Sequence, residues 1–196
     1  MGVTERKGRD RADRERRITA AARMIAAREG WSAVTIRRLA EEIEYSQPVL
    51  YSHFENRDAI VAAVAIEGFR ELATALREAV QSSTDRRAAL YNVAAAYLGF
   101  TDEQPTLYEA MFTMPTNLHF ATTDTKPEMR AAFAALAAAV TPSGKDNELA
   151  TETFWATLHG LAELERSGRI RRSVRDERLA LIVDGFNMDE HPPRNG

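Results

Sequence analysis

The stretch from Thr35 to Asp58, TIRRLAEEIEYSQPVLYSHFENRD, leaves a folding chain few choices. Thr35 can cap a helix, because its hydroxyl can accept from a backbone N–H two or three residues on, and Ile36, Leu39, Ala40 and Ile43 follow at helical spacing. That helix buries one face. Ser46 can cap a second helix in the same way, with Pro48 tolerated in its first turn because N–H groups there lack an intrahelical acceptor. Leu50 and Phe54, four apart, fall on its inner face and leave Gln47, Val49, Tyr51 and His53 for the other faces. The spacing therefore predicts two short helices, a tight turn between them, and the start of a third. The outward residues suit nucleic acid. Gln can make paired hydrogen bonds to adenine in the major groove, Pro and Val can touch a thymine methyl, and Tyr and His can donate to phosphate oxygens. We read the stretch as a DNA-binding helix-turn-helix.

At these residues a resemblance becomes specific. The run Val34-Thr35-Ile36-Arg37, then Leu39-Ala40, Ser46-Gln47-Pro48, Leu50-Tyr51, His53-Phe54 and Arg57-Asp58 resembles the N-terminal domain of the TetR family of bacterial transcription regulators. The Leu-Tyr-x-His-Phe core carries most of it. The resemblance implies base contacts from Arg37 and Gln47, with Pro48 and Val49 beside them, and phosphate contacts from Thr35, Tyr51, His53 and Arg57. One position departs: where the family usually has Gly in the turn, this chain has Glu44. A non-Gly residue held at positive φ costs about 1 kcal/mol, and a carboxylate near phosphates adds repulsion.

Charge is spread in keeping with that reading. The formal net charge is −3, yet residues 1–38 hold eleven Lys and Arg against five Asp and Glu, which leaves the remaining chain at −9. A basic patch beside the motif supplies sequence-independent affinity for phosphates, while the acidic remainder is repelled from a duplex. The same N-terminus taken alone also fits a solvated, mixed-charge segment. Cysteine is absent, so no disulfide framework or thiolate site exists. No run of eighteen apolar residues occurs and the start of the chain is charged, so neither a membrane span nor a secretory signal is expected and the cytoplasm is the expected compartment.

The chain of 196 residues reads as all-α throughout, with no strand-type alternation of useful length. Residues 1–11 read as a flexible basic arm, able to reach an adjacent minor groove or to remain an unstructured start. Residues 12–58 make the helix-turn-helix domain, opened by a helix over 12–29 that Gly30 stops, with Trp31 closing over its end. Asn56 can cap a long linking helix over 59–84, in which Gly68 is the weak point. Residues 85–190 make a helical ligand-binding and dimerisation domain, and 191–196 a tail. Within that domain helices are expected over 86–100, from Pro105 through Phe112, and over 128–140, 148–167 and 176–188. Residues 115–127 are expected as a loop, 141–144 as a turn, and Asp146 or Asn147 as the next cap.

Chemistry for catalysis is not apparent. There is no phosphate loop, dinucleotide fingerprint, nucleophile elbow or H-E-x-x-H, and no cofactor is called for. His159 and Glu163, four apart, make either half of a metal site or a local hydrogen-bonded pair. Trp155, His159 and Gly160 resemble the Trp…His-Gly signature of one C-terminal domain class within the same family, which implies ligand binding and dimerisation. Two readings stand side by side. Gly160 lets a neighbouring helix approach while Trp155 and His159 pack inside; or Trp155 and His159 line a mainly apolar cavity with Tyr97, Met111, Phe112, Phe120 and Phe133. The last helix is apolar over more than half its circumference and needs a second buried face, for which another copy of the chain is the candidate partner. Leu158, Leu179, Ile182, Val183 and Phe186 are the expected interface, in a four-helix bundle of the last two helices of each copy. The function implied is a homodimeric, ligand-released repressor of a near-palindromic double-stranded DNA operator, its effector small and largely apolar. The alternatives are a helical dimer serving as a protein-interaction module or a small-molecule carrier without DNA binding.

Overall fold

The computed structural model describes residues 3–140 and 148–187, in which the regular elements are helices and two short 3-10 turns. Two compact units divide the chain: residues 1–69 with 104–126, and residues 70–103 with 127–196.

The first unit opens with α1 (Val3–Glu29), which begins nine residues earlier than the sequence pattern predicts. The segment read as a flexible arm is thus helical from Val3 onward. Its Arg, Lys and Glu are good helix formers, and pairs three or four apart, such as Arg11 with Glu15 at 2.8 Å, support a helix that has no apolar face there. Gly30 ends α1 at a φ of 82°, and Trp31 lies buried in the 3-10 turn that follows, Trp31–Ala33. Next come α2 (Ile36–Ile43), α3 (Gln47–Tyr51) and the first half of α4 (Arg57–Gln81). As its residue type predicts, Asn56 caps α4, its Oδ1 accepting from the Ala59 N–H at 2.9 Å. Ile18, Ala22 and Ile25 of α1, Leu39 of α2, Leu50 of α3 and Ile60, Val61 and Val64 of α4 form one solvent-free core.

The second unit supplies α5 (Arg86–Glu103), and the chain then returns to the first with α6 (Pro105–Phe112), although the sequence places that helix in the C-terminal domain. Two features hold α6. The Trp31 Nε1–H donates to the Thr106 carbonyl at 2.9 Å. Gly68 gives α6 room against α4: a Cβ there would come 2.6 Å from Met111 Sδ and 3.0 Å from Leu107 Cδ1. The weak point of the long helix is therefore a place of close approach.

With α5 the second unit contains the rest of α4, α7 (Pro127–Val140), α8 (Glu148–Arg166) and α9 (Arg175–Asn187). Asp85 caps α5 by accepting from the Ala88 N–H at 2.8 Å, and that bond holds its carboxyl below the usual carboxylate range. Gly168, at a φ of 67°, follows the end of α8 as predicted. Arg86 donates to the carbonyls of Val140 at 3.0 Å and Phe186 at 3.1 Å, joining the last turns of α7 and α9. The turn read at 141–144, the cap read at Asp146 or Asn147, Met188 and the tail lie outside the described residues. No helix among the described residues is long and apolar enough to cross a membrane.

Candidate nucleic-acid interface

The Thr35 hydroxyl caps α2 by accepting from the Arg38 N–H at 3.1 Å, as the sequence predicts. At the other end Glu44 has φ 56° and ψ 38°, the left-handed conformation that favours glycine, and the Tyr45 N–H reaches back to the Ala40 carbonyl at 3.0 Å. The turn thus demands what its sequence lacks, at a cost of about 1 kcal/mol. Ser46 occupies the cap position of α3 without a side-chain hydrogen bond; its carbonyl accepts from Val49 and Leu50 instead. A helix of five residues stands only because Leu50 is fully buried beneath it.

With Leu50 inward, Gln47, Pro48 and Tyr51 are exposed and Val49 is half-buried; Tyr51 keeps 54% of its surface. Arg37 projects from α2 with 80% of its side chain exposed and pairs with Glu41 at 2.9 Å. An exposed pair of this kind is worth little, so a base edge can replace it. Arg37, Gln47, Pro48 and Tyr51, with Thr35, accordingly belong to the exposed surface of α2 and α3.

Two expected phosphate contacts are not on that surface. The His53 side chain is only 6% exposed, with Nδ1 3.4 Å from Glu15 of α1. The reason is local: α3 ends at Tyr51, and the chain then turns, with the His53 N–H bonding to Leu50 O, so His53 does not continue the helix's outer face. Arg57 is committed inside the domain. Its Nε–H donates to the Val34 carbonyl and its Nη2–H to the Trp31 carbonyl, both at 2.7 Å, and Nη1 lies 3.3 Å from Asp58. The 3-10 turn leaves these two carbonyls facing α4, and a planar guanidinium fork satisfies both.

Sequence reasoning also missed the residues that brace this surface. The Arg17 Nη1–H donates to the Tyr45 hydroxyl at 2.8 Å, joining α1 to the turn before α3. Arg38 pairs with Glu29 at 3.0 Å and Glu42 at 2.8 Å, and Arg28 also pairs with Glu42 at 3.0 Å. Hydrogen bonds to Glu29 and Glu42 raise the Arg38 guanidinium further, and those from Arg38 and Arg28 hold the Glu42 carboxyl below its usual range. Alternating charge on neighbouring helices was a signal for the second group. Nothing local marks the first, whose partners are 28 residues apart.

The seven residues expected to line one cavity fall into two sets, one in each unit. In the first unit Phe112 meets Phe69 edge-on at 5.4 Å and lies nearly parallel to Phe120 at 6.4 Å, beside buried Met111. In the second, the Trp155 Nε1–H donates to the hydroxyl of buried Tyr97 at 3.1 Å, one turn from half-buried His159, while Phe133 is half-buried on α7. Burial pushes the His159 imidazole below its ordinary value, with Glu163 opposing the shift and Arg166 adding to it. Gly160 meets nothing within 4 Å of a Cβ position, so the close helix approach read from it has no partner among the described residues. Among those residues no group of three or more His, Asp or Glu can hold a metal ion.

Three expected interface residues are likewise internal. Leu158, Leu179 and Val183 are buried in the second unit's own core, because α9 lays its apolar stripe chiefly against α5. Phe186 packs edge-on against Phe154 at 5.0 Å, and Ile182 is half-buried. What faces outward is Leu149 and Leu164 on α8, 77% and 41% exposed, and Leu181 on α9, 75% exposed. A buried ionic cluster fixes the two helices to each other. The Glu165 carboxylate, with no exposed side-chain surface, accepts from Arg175 at 2.7 Å and from Arg178 at 3.0 Å, and Arg175 also donates to Asp102 at 2.7 Å.

Comparison with known proteins agrees with this geometry. Residues 18–64 match the family model described as bacterial regulatory proteins, tetR family, and residues 90–186 match that of the tetracyclin repressor-like C-terminal domain. An uncharacterized HTH-type transcriptional regulator of Mycobacterium tuberculosis is 31% identical over 148 residues, covering 72% of this chain and 65% of the relative. The chain thus spans less than two thirds of that relative's length. A protein of unknown function from Rhodococcus sp. RHA1 superposes with a TM-score of 0.71 at 26% identity, covering 88% of this chain and 92% of the other. At the level of fold alone, a TetR variant from Acinetobacter baumannii AYE, solved in complex with minocycline, matches with a TM-score of 0.63 at 21% identity over 89% of this chain and 97% of that one.

Proposed function

This chain belongs to the TetR family of bacterial regulatory proteins, and on that footing we propose that it is a ligand-released transcriptional repressor that binds a near-palindromic operator as a homodimer. The observation that carries the reading is the surface of α2 and α3: Arg37, Gln47, Pro48 and Tyr51 exposed together above a buried Leu39 and Leu50. In this reading α3 enters the major groove. Arg37 and Gln47 read base edges, Pro48 and Val49 touch thymine methyls, and Thr35 and Tyr51 donate to phosphates. In this reading His53 and Arg57 serve to hold the reading unit together.

Two copies joined through the outer faces of α8 and α9, around Ala156, Gly160, Leu164 and Leu181, present two reading helices to half-sites about 10 bp apart or somewhat more. A small, largely apolar effector that favours a non-matching spacing of the two lowers operator affinity, with a reciprocal coupling of about 1–3 kcal/mol. The aromatic sets around Phe112 and around Trp155 with Tyr97 are the candidate contacts for it.

Selection of bound sequences from a random DNA pool, followed by a salt titration on the winner, tests the proposal. The expected result is a palindromic winner bound by two chains with a steep salt slope. A folded dimer that enriches no sequence would overturn it in favour of an interaction module.

A further inference from the structure

The inward stripe of α1 changes character along its length. Over its second half Ile18, Ala22 and Ile25 pack into the core, fully buried. Continued toward the N-terminus at the same helical spacing, that stripe passes through Arg14, Arg11 and Lys7, all exposed. A face that is apolar against protein becomes cationic where α1 leaves the domain.

The place where it leaves is defined by two contacts. Glu15 lies 3.4 Å from His53, just after α3, and Arg17 donates at 2.8 Å to Tyr45, just before α3. The helix therefore emerges past both ends of the reading helix. Residues 3–14 then extend for about 18 Å at 1.5 Å per residue. Glu5 and Asp13 fall on the side away from the cationic stripe, and Asp10 borders it between Lys7 and Arg14. The Arg11–Glu15 pair is solvent-exposed, so it yields readily to a stronger anionic partner.

We propose that the first three turns of α1 form a second DNA-contacting element, laid along the phosphate backbone beside the groove that α3 enters, with Lys7, Arg11 and Arg14 facing the duplex. The inference rests on the DNA-binding reading above. Its partner is chosen by charge complementarity and by continuity with the α3 surface. An extended anion spaced like a phosphate backbone fits three cations on a rigid helix, and from Lys7 to Arg14 that helix side carries no apolar residue to bury against protein. The interaction is independent of base sequence: it raises affinity for all duplexes and leaves the preference to α2 and α3.

The test compares the full chain with its K7Q/R11Q/R14Q variant on the selected operator and on random duplex, each titrated with salt. Circular dichroism and urea unfolding of both proteins check that the fold is kept, since all three side chains are exposed. The expected result is a log–log salt slope shallower by about 0.9 for each phosphate no longer neutralised, hence by up to roughly 2.7 per chain, with the operator-to-random ratio unchanged. Hydroxyl-radical protection of the operator is expected to shrink at its flanks. If the unsubstituted protein binds with a steep slope and the variant matches it in slope and footprint, the extension does not touch DNA and the proposal is wrong while the regulator reading stands. If the unsubstituted protein binds no duplex even at low salt, both fail together.

Discussion

Two arginines of the helix-turn-helix have opposite fates. Arg37 points into solvent, whereas Arg57 clamps the carbonyls of Trp31 and Val34. Arg57→Ala is expected to lower unfolding free energy by about 2–3 kcal/mol, the worth of its charge-assisted bonds to the Val34 and Trp31 carbonyls, the second of which keeps the Val34 N–H as a partner. Arg57→Lys is not expected to recover it, because an ammonium lacks the planar fork. An unchanged urea midpoint for either variant would refute the clamp. Arg37→Ala is expected to leave stability within about 0.5 kcal/mol yet to cost about 1–3 kcal/mol on the operator and relax one base position. Equal weakening on random DNA would show that Arg37 reads no base. Glu44→Gly, which relieves a left-handed residue, is expected to gain up to about 1 kcal/mol in urea and to tighten DNA binding at low salt; a lower midpoint would mean that the turn is unstrained. The caps at Thr35 and Asn56 were legible because their partners are three residues away. The commitments of His53 and Arg57 were not, because their acceptors come from segments 23 to 38 residues distant.

For whole elements, periodicity says that a face is buried and not what buries it. The stripe of α9 was read as a second-copy interface and proves to pack on α5, leaving Leu181 outside. At the start of α1 the error ran the other way. A charged segment without apolar residues was read as an arm, and side-chain pairs along its surface are enough to extend the helix to Val3. On α8, His159 makes acid sensitivity a property of the element. Burial lowers its imidazole below the ordinary 6.5, so the native state binds a proton less readily than the unfolded chain. Its neutral form is therefore tolerated in full above about 6.5, and stability is lost as pH falls from there toward the lowered value. Urea midpoints at about pH 7.5 and pH 5.5 are expected to differ less for His159→Gln than for the unsubstituted protein; an identical pH response would exclude the buried imidazole as a cause.

At the scale of the molecule, the outward residues of α8 and α9 bear on assembly. Leu164 and Leu181 expose 41% and 75% of their surfaces, and Gly160 opens onto empty space on α8. In the proposed dimer these exposed aliphatics lie at the contact between the two copies. The double variant Leu164→Asp with Leu181→Asp is expected to sediment as a folded monomer and to lose two-chain operator binding; a persistent dimer would move the interface elsewhere. Leu158→Asp is no substitute, since that side chain sits in the chain's own core.

By itself the sequence determined the helical class, most helix ends, the helix-turn-helix and its strained turn, because capping, periodicity and backbone conformation are decided within a few residues. Tertiary structure alone decided which apolar stripes are internal, that α6 joins the first unit through Gly68 and Trp31, and that Arg57 and His53 serve the fold rather than its surface. Each of those outcomes depends on which distant carbonyl, carboxylate or side chain the fold brings within a few ångströms, and no local pattern in the chain encodes that.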